Sequence, residues 1–420
     1  MKHARTTLAI GAVAAVAALT LSGCSAGSTA SSDGPATLKV WTGFTGGDRP
    51  GYATIVKDFE QSHPDIKVDM TVQPWDTIQQ KLPSAWLTGQ GPDVAAVSSD
   101  PNAVAQYVKT NSVLPITMTG SGDSKINTSS FAPGTVKEFT YDGKLYGVPA
   151  NFATLSLYYN KKLFQDAGIA NPPSTVAELA TDAQKLTTGG KYGIALADNQ
   201  TIQMWPVLQW LEGGDIVNSK NCSVVQSSSG KQSLKTWADL VAKDKVSPVG
   251  LTGAEADSLF SAGKAAMEIN GPWAASGYKS AGIDLGIVKV PVGVDGKSST
   301  LGSIAPLSIS AKTKYPKQAQ EFLAYWTSKT AQQKFSLQTG FPPLRSDLSD
   351  DAKLKADPTV SVFASQVPDA RLYLPHVPNA TKVDSDGYVP LIGEITRGKS
   401  IDDATKSAGQ TIDGLTGCSQ

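Results

Sequence analysis

The chain has 420 residues, with 37 basic side chains balancing 37 acidic ones. No basic run or acidic tail breaks that balance, which argues against nucleic acid as a partner, and the length points to two cores rather than one small one. Three cysteines and three histidines offer no clustered zinc site, and apart from His3 only His63 and His376 could act as the base of a hydrolytic triad.

In chain order, Lys2 and Arg5 precede a short apolar run from Leu8 to Leu21. A bilayer span needs about 20 apolar residues, so this pattern predicts a secretory signal peptide over residues 1–23. Leu21-Ser22-Gly23-Cys24 resembles the bacterial lipobox, in which cleavage precedes a cysteine that then carries lipid. Residues 24–37 are mostly small and polar and predict a flexible tether. With Cys24 lipidated, Cys222 and Cys418 remain, and in an exported protein they are either paired or free.

Beyond the tether, Leu38 and Val40 alternate with polar neighbours as a strand. Pro50 then opens a helix with Tyr52, Ile55, Val56 and Phe59 on one face, stopped at His63-Pro64. Ile66, Val68, Met70 and Val72 alternate as a second strand. A second helix with Ile78, Leu82, Ala85 and Trp86 ends at Gly89, and Val94–Val97 is a third strand after the turn Gly91-Pro92-Asp93. Later signals are a strand through Leu155, Leu157 and Tyr159, a helix over Val176–Leu186 and a strand over Ile283–Val288. A last helix opens at Pro316 with Ala319, Phe322, Leu323 and Trp326 on one side. Alternating β and α elements predict layered α/β lobes with mostly parallel sheets.

Enzyme motifs are missing. Gly302-Ser303-Ile304-Ala305-Pro306 fails as a nucleophile elbow at its last position, and Gly120 to Lys125 lacks the spacing of a phosphate-binding loop. A glycosidase needs two carboxylates facing one bond, and no acidic pair stands in such an arrangement. Tyr158-Tyr159 could suggest ferric iron, but neighbouring strand residues face opposite ways. The positive signal is aromatic. Among eight tryptophans, Trp41, Trp75, Trp205, Trp210 and Trp273 lie near turn residues, whereas Trp86, Trp237 and Trp326 fit helical core positions. An indole face suits the apolar face of a pyranose, with polar groups reading its hydroxyls.

Four blocks make a specific pattern: Leu38-Lys-Val-Trp-Thr-Gly-Phe-Thr-Gly-Gly-Asp-Arg49, Thr88-Gly-Gln-Gly-Pro-Asp93, Leu155-Ser-Leu-Tyr-Tyr-Asn-Lys161 and Gly263-Lys-Ala-Ala-Met-Glu-Ile-Asn-Gly-Pro-Trp273. Together they resemble the family 1 extracellular solute-binding proteins of carbohydrate ABC importers. The resemblance implies an α/β, two-lobed periplasmic-binding-protein fold of type II, with mixed sheets flanked by helices and a ligand cleft at the hinge. It implies a first lobe of residues 38–151 and 303–366 and a second of 152–302 and 367–420. By position it implies that Trp273 stacks on a sugar ring, that Asp48 and Arg49 form an acidic–basic pair at the cleft, that Asp100 bonds sugar hydroxyls, and that Trp205 lines the pocket. Trp75, Asn151, Arg371 and His376 join as chemically suited residues near the expected cleft loops, and Gly302 as a crossing residue. Val97 and Ala153 stand where the family's maltose receptor has a stacking tryptophan and a glutamate, so maltose is disfavoured. The partners implied are a carbohydrate, an importer permease and, through Cys24, the outer face of the cell membrane, with the protein a monomer. Neither metal, cofactor nor catalysis is expected. The competing readings are a receptor for a non-sugar solute, a surface lipoprotein for sensing or adhesion, and a secreted glycan-cleaving enzyme.

Overall fold

The computed structural model describes residues 34–98, 103–117, 126–131, 135–200 and 202–418. The expected leader, Cys24 and the site candidate Asp100 lie outside the described residues.

The first strand, β1 (Ala36–Thr42), buries every second side chain, as its alternation requires. Helix α1 (Arg49–Ser62) carries Pro50 in its first turn and buries Tyr52, Ile55 and Phe59. Strand β2 (Ile66–Val72) pairs parallel with β1, Ala36 opposite Ile66 and Thr42 opposite Val72. Helix α2 (Trp75–Thr88) buries Ile78, Leu82 and Trp86 and stops at Gly89, whose φ of 75° supplies the left-handed C-cap. Strand β3 (Val94–Ala96) then pairs parallel with the other edge of β1. These elements form where the hydrophobic period places them.

A small hairpin pairs Thr140–Tyr141 with Lys144–Leu145, and the strands after it are β4 (Val148–Thr154), β5 (Ser156–Asn160), β6 (Met267–Asn270), β7 (Leu285–Val288), β8 (Thr300–Ile309) and β9 (Ala370–Leu372). One sheet runs β9-β8-β3-β1-β2, with β4 also paired to β8. It is mixed: β8 runs antiparallel to β3 and β4 but parallel to β9. The second sheet, β6-β5-β7, is antiparallel throughout, against the mostly parallel expectation.

Two large hydrophobic cores result. One gathers Leu38, Phe59, Trp86, Phe152, Phe322 and Trp326, the other Leu157, Leu208, Trp237, Ile269 and Ile412. The chain changes core between Ala153 and Leu155 and again between Leu301 and Ile304. At that passage the Leu155 N–H donates to Thr300 Oγ1 (3.2 Å), and the Leu155 carbonyl accepts from Thr300 Oγ1 (2.8 Å) and from Gln366 Nε2 (3.0 Å). Gln366 also donates to Ser156 Oγ at 2.6 Å. Three distant stretches of chain are thereby tied at one peptide. Among the described residues no helix is long and apolar enough to cross a membrane.

Cys222 and Cys418 form a disulfide across 196 residues of sequence, the paired alternative of the two open to the sequence. A bond that closes so long a loop removes conformational freedom from the unfolded chain, typically for about 2–4 kcal/mol. Replacing both cysteines by serine is expected to lower the unfolding free energy by about that amount in urea titration. A denatured, unreduced sample of the folded domain (residues 34–418) is expected to show no reactive thiol.

Candidate functional site

The loop joining β1 to α1, residues 43–48, is shaped by aromatic packing. Phe44 stacks on Tyr52 with ring centroids 3.9 Å apart and meets Trp75 edge-on at 5.6 Å. The Trp75 indole lies across Gly43 so closely that a Cβ there would sit 2.1 Å from the ring; only glycine admits that approach. Trp75, the first residue of α2, is half-buried.

Asp48 stands at the N-cap position of α1 without capping it through its side chain, and it is only 5% exposed. Burial pushes its carboxyl up to about 7, opposed by weaker hydrogen bonds from its own backbone and from the Tyr52 hydroxyl. Its Oδ1 finds no hydrogen-bond partner among the described residues. Tyr52 in turn accepts from Asn151 Nδ2 at 2.5 Å, and Asn151 Oδ1 accepts the Ala305 N–H at 3.4 Å. A chain of polar contacts therefore runs from the loop to β4 and β8. A carboxyl titrating near neutrality can both donate and accept, which matches the hydroxyl group. Arg49, next in sequence, is exposed at the start of α1.

Trp273 approaches from the other core. Strand β6 leads through Gly271 into a single 3-10 turn, Pro272–Ala274, and the half-buried indole packs against both large cores and a smaller third cluster. Its ring lies over Gly271, where a Cβ would meet it at 2.2 Å, and stands 6.3 Å from Phe341. The Gly47 N–H donates to the Trp273 carbonyl at 3.0 Å, and the Ser276 hydroxyl donates to the Gly47 carbonyl at 2.8 Å. The structure thus brings Asp48, Trp75, Asn151 and Trp273 into one connected group, with Arg49 beside them.

Other candidates sit elsewhere. Trp205 is a correction: it lies in helix Met204–Leu211, every residue of which is buried, is itself 1% exposed, and donates its indole N–H to the Ala197 carbonyl. Gly302 is a sheet residue of β8, flanked by Thr154 and Leu372. Arg371 packs its guanidinium 4.4 Å from the Trp210 ring centroid and pairs with Asp215, which also accepts the Trp210 N–H. His376, held at φ 58°, pairs with Glu138 at 3.1 Å. Tyr158 is fully buried and Tyr159 half-buried on the opposite face. Among the described residues no three His, Cys, Asp or Glu gather as a metal site. Reasoning from sequence missed Phe44, Phe341 and the hydroxyl of Tyr52; the glycines around Phe44 were the available signal for the first.

The buried Asp48 has a measurable consequence. Its folded value lies above the unfolded 3.8, so the folded protein holds the proton more tightly, and stability falls as pH rises from about 4 to about 7. Asp48→Asn is expected to remove that fall, so that from pH 5 to pH 7 the wild type loses on the order of 2 kcal/mol more than the variant in urea unfolding. Parallel pH profiles would show that Asp48 ionises as it does in water.

Comparison with known proteins agrees with this architecture. A family model for bacterial extracellular solute-binding proteins matches residues 54–362. The galactooligosaccharide-binding protein of Bacillus subtilis (strain 168) is 27% identical over 318 residues, covering 73% of each chain. The solved GacH receptor of Streptomyces glaucescens, determined unliganded and with acarbose and an acarbose homologue, superposes with a TM-score of 0.80 at 25% identity, covering 91% of this chain and 99% of that one. UgpB of Mycobacterium tuberculosis, solved with glycerophosphocholine, shares the fold at a TM-score of 0.79 and 19% identity, covering 91% and 98%. With its two cores, its mixed sheets and a family match across most of its length, this chain belongs to the bacterial extracellular solute-binding proteins.

Proposed function

We propose that this protein is an exported, lipid-anchored receptor that captures a carbohydrate of the oligosaccharide class and delivers it to the permease of an ABC importer. The observation that carries the reading is the main-chain hydrogen bond from Gly47 to Trp273, which sets the residue of the half-buried indole against the neighbour of the buried Asp48. An indole face takes the apolar side of a pyranose while a carboxyl that donates and accepts takes its hydroxyls. Trp75, Arg49 and Asn151 complete the proposed site, with Asp100 as a further contact. The relatives that bind galactooligosaccharide and acarbose support the substrate class.

In this reading the two cores are lobes, dividing at the passages 153–155 and 301–304; the first lies about two residues beyond the 151/152 boundary that the motifs suggest, and the second spans the 302/303 boundary. A ligand shifts the balance between open and closed lobes only by its differential affinity for the two. The protein acts as a monomer, binds without turnover and hangs from the membrane by lipid on Cys24.

Titration of the mature domain with galactooligosaccharides, acarbose and glycerophosphocholine, followed by tryptophan emission, tests the ligand class. A saturable response to a sugar is expected. A response to glycerophosphocholine alone would favour the non-sugar reading, which the shared fold of UgpB motivates. Trp273→Ala is expected to weaken sugar binding by more than about 2 kcal/mol in a protein that still folds; unaltered affinity would make Trp273 a packing residue.

The anchor has its own test. Two acyl chains, at about 0.8 kcal/mol per buried methylene, hold a protein durably on a bilayer. Cys24→Ala is expected to move the protein from the membrane pellet to the soluble fraction, and retention in the pellet would exclude lipid on Cys24.

A further inference from the structure

Behind Trp273 lies a buried polar cluster that the binding reading does not use. The Trp273 ring rests on Gly271, so the plane of the indole follows the Gly271 peptide. Both polar ends of that residue are held. Its N–H is bonded to Asn270 Oδ1 at 2.8 Å, and its carbonyl accepts the Tyr158 hydroxyl at 2.6 Å. The other end of the Asn270 amide, Nδ2, reaches Asp257 Oδ1 (2.7 Å), the Tyr278 hydroxyl (2.9 Å) and Glu268 Oε1 (3.3 Å). The Tyr278 hydroxyl donates to Glu268 Oε2 at 2.5 Å, with Asp257 Oδ1 at 3.2 Å.

Two acids thus share one amide and one phenol, Glu268 from a buried position and Asp257 from a half-buried one. Two carboxylates gathered on the same donors repel each other, and where water is scarce one proton held by the pair removes that repulsion. Glu268 is fully buried. Burial, then the charge of Asp257, pushes its carboxyl well above the usual range, and burial pushes Asp257 upward too. The surrounding elements bring no compensating charge. Helix Gly253–Ser261 offers Asp257 itself, while its Glu255 is bonded to Thr252. Helix Ala275–Ser280 offers Tyr278, while Lys279 is bonded to Thr359. Tyr158 comes from β5, and Phe260 and Phe363 add apolar walls. Among the described residues no cation pairs with either acid.

We propose that Asp257 and Glu268, holding one proton between them, are positioning residues that fix Asn270 and through it the plane of the Trp273 indole. The unfolded chain lacks this proton above about pH 5, where both acids ionise at ordinary values. Folding therefore takes it up, and the stability it contributes is lost as pH rises toward the folded value. The functional meaning of the inference rests on Trp273 facing a ligand, but its test does not.

The experiment is urea unfolding of the mature domain from about pH 5 to about pH 9, in which Asp48 contributes equally to every protein compared. The folding constant of the wild type is expected to fall more steeply with pH than that of Glu268→Gln, by up to about tenfold per pH unit until the folded pair gives up its proton; the amide of the variant imitates the protonated acid. Equal slopes would overturn the shared proton. The near-UV circular dichroism of Trp273, isolated by subtracting Trp273→Phe, is expected to survive in Glu268→Gln and to collapse in Glu268→Ala. A signal unchanged in Glu268→Ala would overturn the positioning role. Should Glu268→Gln not fold, Asp257→Asn gives the same slope comparison. Should neither fold, a protonated-carboxyl stretch in the infrared spectrum of Asp48→Asn at about pH 6, where ordinary carboxyls are ionised, supports the pair and its absence refutes it. A tryptophan that never meets sugar would fail the glycan titration while leaving these readouts intact.

Discussion

The peptide of Leu155 is the point on which the rest of the molecule depends. Its N–H and carbonyl are bonded to Thr300, and its carbonyl also receives Gln366, so three segments far apart in sequence meet on one backbone unit. A buried peptide needs partners for both its polar groups, and here they come from side chains rather than from a strand ladder. That substitution lets β4 end in one sheet and β5 begin in another with a single residue between them. Each core can then close around its own sheet while the passage between them stays narrow and fully bonded.

On either side of that passage the same device recurs: an indole laid over a glycine. Trp75 covers Gly43 and Trp273 covers Gly271, and each arrangement leaves its ring half-buried. The backbone beneath is shaped by the ring above it, so loop conformation and platform orientation are one property. Asp48 adds the polar counterpart. Its carboxyl is buried beside the Tyr52 hydroxyl, which Asn151 holds from the other side, and its Oδ1 has no partner among the described residues.

Much of this was legible in the sequence. The first five elements follow from apolar period, Pro50, Gly89 and the alternation of β2, because their packing is local. The Asn-Gly-Pro-Trp block pointed to Trp273, and the family resemblance of the Leu38–Arg49 block pointed to Asp48. What could not be read depends on distant partners. Periodicity marks Tyr52 as inward-facing but says nothing of where its hydroxyl ends. Trp205 looked like a loop residue because Pro206 follows it, yet that proline fits the first turns of a helix buried on all sides. The antiparallel sheet around β5 has no local signature that separates it from a parallel one, since a buried apolar strand reads alike in both. The pairing of Cys222 with Cys418 is likewise a fact of tertiary approach.

That disulfide encloses Trp273, the whole of β8 and Gln366 within one covalent ring. An extracellular protein meets proteases, and the ring holds surface turns such as the one bearing Val294, which is 63% exposed. A cut there would divide the polypeptide without separating its pieces, because the sulfur bridge would still join residue 222 to residue 418. The two cores would keep their shared strands, and a nicked molecule would remain a single body until its surroundings became reducing.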